Sequence, residues 1–298
     1  MSFAGGLKSI VVATDLEGRA DGAMEYARKL ASAYGSRLIL AHGTDPLEYA
    51  NVDGVPGRVW QKLSEEVRAV LDELSADLLR EGIRSHSEIR QGAVVDMLID
   101  VARQYGAGLI VIGTRGREGA GPIAVGSIAE ELVRKSACPV LAVSADWNAG
   151  EFRPIPGGPV MLAMERNDAT RAATETAQSL AVVFKRMLLV VHARGSAEGS
   201  AILNPSGAGL EEFGLTPTAD CPMRMIIKDG SPAEAVAQAI EQYKPSILVA
   251  GVKRKSDSPG QHGTAFALLA SSRCPVLCVP VETLAATGEP SEPVSATH

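Results

Sequence analysis

The feature that most constrains this chain is that it repeats itself. The stretch "GAVVDMLIDVARQYGAGLIVIGTRG" from Gly92 aligns without a gap with "GSPAEAVAQAIEQYKPSILVAGVKR" from Gly230, 138 residues later. Gly92, Gln104, Tyr105, Val111 and Gly113 recur as Gly230, Gln242, Tyr243, Val249 and Gly251. "CPVLAV" from Cys138 recurs as "CPVLCV" from Cys274, and "SIVVATD" near the start has a partner in "PVMLAME" from Pro159. A chain of 298 residues exceeds the commonest domain size and suits two units of about 150. The expected organisation is domain one over residues 1–146, a linker over 147–158, domain two over 159–283 and a loose polar tail over 284–298. The linker reading rests on the Gly- and Pro-rich run around it.

Within the first copy, strand and helix signals alternate. "SIVVA", "RLILAH", "GLIVIG" and "PVLAV" are short, apolar and rich in β-branched residues, as buried strands are. "SHSEIR" reads as a weaker strand. The segments "ADGAMEYARKLASAYG", residues 58–81, "AVVDMLIDVARQYG" and "SIAEELVRKS" carry apolar residues at helical spacing, and the first two stop near Gly35 and Gly82. Strands alternating with helices predict an α/β fold. The fold class is two tandem copies of a flavodoxin-like (adenine-nucleotide alpha hydrolase-like) five-stranded parallel sheet with helices on both faces. In the second copy, residues 195–220 replace most of the long second helix and predict a loop.

Net charge is −6, and neither half is basic: residues 1–150 carry 16 basic and 20 acidic side chains. That balance argues against nucleic acid or an acidic membrane face as a partner. No apolar run approaches the length of a membrane span, and the start lacks a signal-peptide layout, so the expected location is cytoplasmic. Cys138, Cys221, Cys274 and Cys278 lack zinc-ribbon spacing and read as buried free thiols. His42 and His192 occupy matching strand ends and read as structural.

"GTRGREGAGPIAVGS", residues 113–127, places five glycines in fifteen residues between the fourth strand and the fourth helix. Glycine there costs conformational entropy, so something must need bare backbone. A backbone loop that feeds a helix N-terminus is an anion site, because unpaired N–H groups point outward and the helix dipole favours negative charge. The first strand ends at Asp15, an acceptor suited to an exocyclic amine or a sugar hydroxyl. Ligands of open α/β sheets sit where the strand order reverses, here between strands one and four, so Asp15 and the glycine loop border one crevice. Loop and carboxylate together suggest a nucleotide. Neither a Walker motif nor a dinucleotide fingerprint is present. A tight turn without ligand is the plain alternative.

The spacing Gly113-x-x-Gly116-x9-Gly126-Ser127, preceded by "LIVI" and followed by "CPVLAV", resembles the universal stress protein family, as do Asp15 after the first strand and His42 at the end of the second. Both copies share the resemblance, so the chain is similar to a tandem member. Relatives with this glycine spacing are typically ATP-binding. The resemblance implies that Asp15 and the main chain near Gly43 hold adenine, with Ala13 and Thr14 beside it. It implies that Ile112 and Gly113 flank the ribose. Thr114, Arg115, Gly116, Gly126, Ser127 and Ile128 would cradle the phosphates, which a divalent ion such as Mg2+ would bridge. Pro122 stiffens the loop, and the run from Glu118 to Ser127 lacks the basic residue that relatives often carry.

The second copy departs further. Glu165 stands for Asp15, and Arg254 stands where Gly116 would be. Its site reads as degenerate. The leading expectation is an ATP-binding stress-response or regulatory module with nucleotide in domain one. The alternatives are a nucleotide-free dimerising scaffold and a slow ATP hydrolase. No catalytic base stands out. The fifth strands, at Pro139 and Pro275, should lie at sheet edges and pair the two copies, with a homodimer of chains as a further expectation.

Overall fold

The computed structural model describes residues 3, 6–16, 21–44, 56–114, 126–144, 157–165, 170–194, 210, 215–253, 264–272 and 274–281. The first half contains β1 (Ser9–Ala13), α1 (Asp21–Tyr34), β2 (Arg37–Thr44), α2 (Pro56–Arg80), β3 (Ser85–Gln91), α3 (Val94–Gln104), β4 (Leu109–Gly113), α4 (Ser127–Lys135) and β5 (Val140–Val143). The second contains β6 (Val160–Met164), α5 (Thr170–Val183), β7 (Leu188–Arg194), β8 (Met223–Asp229), α6 (Pro232–Tyr243), β9 (Ile247–Lys253), α7 (Thr264–Ser271) and β10 (Val276–Val281). Between β7 and β8 the described residues form no helix, where the first half has the 25-residue α2. Leu210 and Leu215 there are buried in the same core that α2 joins through Val67, Leu71 and Leu78. Most of the linker and the whole tail lie outside the described residues.

All ten strands form one sheet, in the order β3-β2-β1-β4-β5-β10-β9-β6-β7-β8. Within each half every pairing is parallel, and the halves repeat each other's register. Ile10 pairs with Leu38 and Leu109, and Val160 pairs with Leu188 and Ile247. The two halves meet where β5 and β10 run antiparallel, with Val140 opposite Cys278, Leu141 opposite Leu277 and Ala142 opposite Val276. The edge expected to be sticky is therefore closed inside the chain.

Side chains alternate across the strands, so the sheet carries two cores. Ile10, Val12, Leu141, Val143, Leu277 and Val279 face α1, α2 and α5. Val11, Val140, Ala142, Val276 and Cys278 face α3, α4, α6 and α7. Each core runs unbroken across the seam. Small residues on α1 (Ala23, Ala27, Ala31) and α5 (Ala173, Ala177, Ala181) line the first of these cores. The fully buried Tyr26 of α1 donates its hydroxyl to the Ser246 carbonyl in the other half, as a buried phenol must find an acceptor. Burial holds that hydroxyl protonated, well above the usual tyrosine range. The hydroxyls of Tyr34 and Ser179 add a second cross-half bond at 3.2 Å. On the opposite face, the Arg134 guanidinium of α4 stands 6.0 Å from the centre of the Phe266 ring of α7.

Cys221, Cys274 and Cys278 are buried and Cys138 is half-buried, all as free thiols. Burial pushes the Cys138 and Cys278 thiols up to about 12, so both stay protonated at neutral pH. No helix among the described residues is long and apolar enough to cross a membrane.

A fragment of residues 1–146 exposes the β5 edge that β10 covers here. It is expected to self-associate, with light scattering reporting dimers at tens of micromolar. A stable monomer at high concentration would contradict this role for the edge.

Candidate functional site

The strand order in the first half reverses between β1 and β4, and the described members of the expected site set stand at the ends of β1, β2 and β4 and at the start of α4. Ala13 ends β1, and the Thr14 N–H continues the ladder to the Ala41 carbonyl at 3.0 Å. Counting on from the Ala13–Ala41 pair sets Asp15 level with Gly43, and counting on from Val12–Val111 sets Thr14 level with Gly113. Asp15 is exposed to solvent beyond the strand. Ile112 and Gly113 close β4 opposite Ala142 and Val143.

Local bonds hold this edge in shape. His42 Nδ1 donates to the Thr14 carbonyl at 2.9 Å, which supports its structural reading. A carbonyl only accepts, so Nδ1 carries the proton. His192 Nδ1 repeats the bond to the Met164 carbonyl at 3.2 Å in the second half. Thr14 Oγ1 accepts from the Leu16 N–H at 3.2 Å. Leu16 itself sits at φ 59, a left-handed conformation that a bulky residue rarely adopts. The sequence carries no signal for that turn.

The glycine loop is clasped at its neck. The Thr114 N–H donates to the Val143 carbonyl at 2.9 Å, and the Thr114 carbonyl accepts from Gly126 N–H at 2.6 Å. Arg115 and Gly116 lie outside the described residues. Gly126 is the N-cap of α4 at φ −61, ψ 140, with no side-chain cap bond. Any residue can take that backbone conformation, so the glycine is not there for its dihedral freedom. What it provides is an uncapped helix N-terminus with Ser127 and Ile128 exposed in the first turn. The contrast with α6 is direct: Ser231 and Glu234 cap it with a reciprocal box, Ser231 Oγ accepting from the Glu234 N–H at 3.4 Å. Among the described residues no side chain caps the α4 terminus, and a helix N-terminus of this kind suits an anion.

Two residues absent from the sequence reading also shape the site. A methyl added at Gly43 would lie 2.7 Å from Met97 Cε and 3.2 Å from Val94 Cγ2, both on α3. No periodicity or motif announces that contact.

In the second half the same positions are rebuilt. Glu165 replaces Asp15 and is exposed. The β9–β10 ladder runs past Gly251–Val279 through Val252–Pro280 to Lys253–Val281, whereas β4–β5 ends at Gly113–Val143. Residues matching Thr114 and Arg115, the start of the loop, are thus strand residues there. Arg254 lies outside the described residues.

With this geometry in hand, comparison with known proteins is informative. The universal stress protein family model matches residues 6–144. A universal stress protein of Thermus aquaticus is 31% identical over 139 residues, covering 46% of this chain and 98% of that protein. A universal stress protein A homolog of Coxiella burnetii is 30% identical over 140 residues, covering 46% of this chain and 95% of its own length. A universal stress protein structure from Archaeoglobus fulgidus shares the fold with TM-score 0.73 at 17% identity, covering 91% of this chain and 98% of that one.

Because α4 lacks a side-chain cap, Gly126→Asp is expected to raise stability by ~0.3 kcal/mol or more in urea denaturation, through the new cap and the helix dipole. The same carboxylate would repel an anion from the helix terminus. A variant no more stable than the parent would mean that water or the loop already satisfies those donors.

Proposed function

The chain belongs to the universal stress protein family, and from that premise we propose that its first half binds an adenine nucleotide, ATP accompanied by Mg2+. The observation that carries this is the convergence of an acceptor, Asp15, with an uncapped helix N-terminus, at Gly126 and Ser127, on either side of one strand-order reversal. The carboxylate and the Gly43 main chain would take the base, while Ile112 and Gly113 would border the sugar. Thr114, Ser127 and Ile128 would meet the phosphates together with Arg115 and Gly116. Glycine at 126 brings no side chain to the first helical turn, which suits phosphate better than a side-chain cap would. Mg2+ would neutralise phosphate charge, which matters where the nearby cations are few.

Occupancy, in this reading, is a regulatory signal. Binding to the folded state raises stability by mass action and links nucleotide level to the state of the chain. The second half serves as the structural partner, free of nucleotide. The strand extension through Val252 and Lys253 supports that assignment, since it takes up backbone that the first half leaves to the loop.

Calorimetric titration with ATP and magnesium is expected to give one site per chain. Two equivalent sites would refute the asymmetry, and no heat at millimolar ATP would refute nucleotide binding. Asp15→Ala is expected to weaken ATP about tenfold or more, the worth of a charged hydrogen bond, and to bring ATP and GTP affinities together. Unchanged base preference would remove Asp15 from the base site.

A further inference from the structure

We infer that Met97 is a positioning residue for the nucleotide site, acting through Gly43 as one half of a coupled pair. This rests on the nucleotide-binding reading above and names a determinant of it that lies outside the expected ligand-contacting set.

The inference starts from the two halves as internal controls. The sheet register makes Gly43, opposite Arg90, equivalent to Ala193, opposite Lys228. The gap-free repeat makes Met97 equivalent to Ala235, and the helices agree: the Met97 N–H donates to the Ala93 carbonyl at 3.0 Å, and the Ala235 N–H donates to the Ser231 carbonyl at 2.9 Å. One half therefore carries glycine on the strand with methionine on the helix. The other carries alanine on both. The half that gains one methyl at the strand gives up three heavy atoms on the helix, which relieves the contact without conserving volume.

The packing at these positions explains why the exchange is coupled. A methyl on Gly43 would stand 2.7 Å from Met97 Cε and 3.2 Å from Val94 Cγ2. Met97 is buried in the core that also holds Ile39, Ala41 and Leu98, so its flexible thioether end moves only by displacing packed neighbours, while the β-branched Val94 beside it is stiff at χ1. Nor does α3 slide easily. Its C-terminal end is tied to β3, where the Tyr105 hydroxyl donates to Glu88 and Arg90 bridges Glu88 at 3.1 Å and Gln104. Burial alone would raise the Glu88 carboxyl, but those donors and the Arg90 charge hold it below the usual range. With the helix fixed, extra volume at residue 43 presses on the end of β2. That end is the main chain proposed to face the base, level with Asp15.

In the first half Met97 thus sets how close α3 lies to the β2 terminus, and glycine is the residue that fits against it. Both parts matter for where the residue 43 amide and carbonyl stand.

The test is a double-mutant cycle on the full chain, read by ATP titration and by melting temperature. Gly43→Ala is expected to weaken ATP about tenfold and to lower the melting temperature. Gly43→Ala with Met97→Ala, which copies the second half at these two positions, is expected to recover most of the ATP affinity; the space left by Met97 lowers the melting temperature further, but by less than the sum of the two single shifts. A methyl that merely touched the nucleotide would be insensitive to Met97, so failure of the double variant to recover ATP affinity overturns the inference, as does full affinity in Gly43→Ala alone. The reading it rests on fails separately: if the parent chain binds no ATP, the nucleotide assignment falls. The thermal cycle still reads the coupling in that case, and additive melting shifts would overturn the pair itself.

Discussion

The antiparallel pairing of β5 with β10 is the contact on which the rest of the architecture depends. Each half alone would end in an apolar edge strand, Val140–Val143 or Val276–Val281, with unpaired backbone groups. Exposed edges of that kind invite association. Joining them makes a ten-stranded sheet and lets each of its two cores continue across the seam. The cost is that neither half is independent. Tyr26 in the first half finds its acceptor at Ser246 in the second, and Leu141 packs in a layer completed by Leu277.

Within that frame the halves share a register and differ at their tips. The His-to-carbonyl bond recurs at Thr14 and Met164, so the end of the first strand is held alike in both. Divergence begins where β4 stops and β9 continues. A ladder that runs two residues further exchanges loop backbone for strand backbone. Under the proposed function, this is the physical reason why one half would hold nucleotide and the other would serve as its scaffold.

Much of this was legible in the sequence. The repeat gave the doubling, and the β-branched runs located the buried strands. The apolar fifth strands implied an edge that needed covering, which the β5–β10 pairing supplies. Asp15, Gly43, Gly113 and Gly126 were expected together from motif spacing and strand order, and the register sets Asp15 level with Gly43 and Thr14 level with Gly113. Other features were not legible. The left-handed Leu16 has no glycine or asparagine to mark it. The Gly43–Met97 contact joins residues 54 positions apart through packing alone, and the β9 extension depends on pairing with Pro280 and Val281 rather than on its own composition.

The central claim is that ligand chemistry belongs to the first half only. Hydrogen–deuterium exchange with and without magnesium-ATP tests it at the level of backbone amides. The account predicts slowed exchange in peptides covering residues 13–16, 42–44, 112–116 and 126–129. Peptides covering residues 163–165, 192–194 and 251–254 should be unchanged. Equal protection at both sets of strand tips, or protection confined to the second, would contradict it.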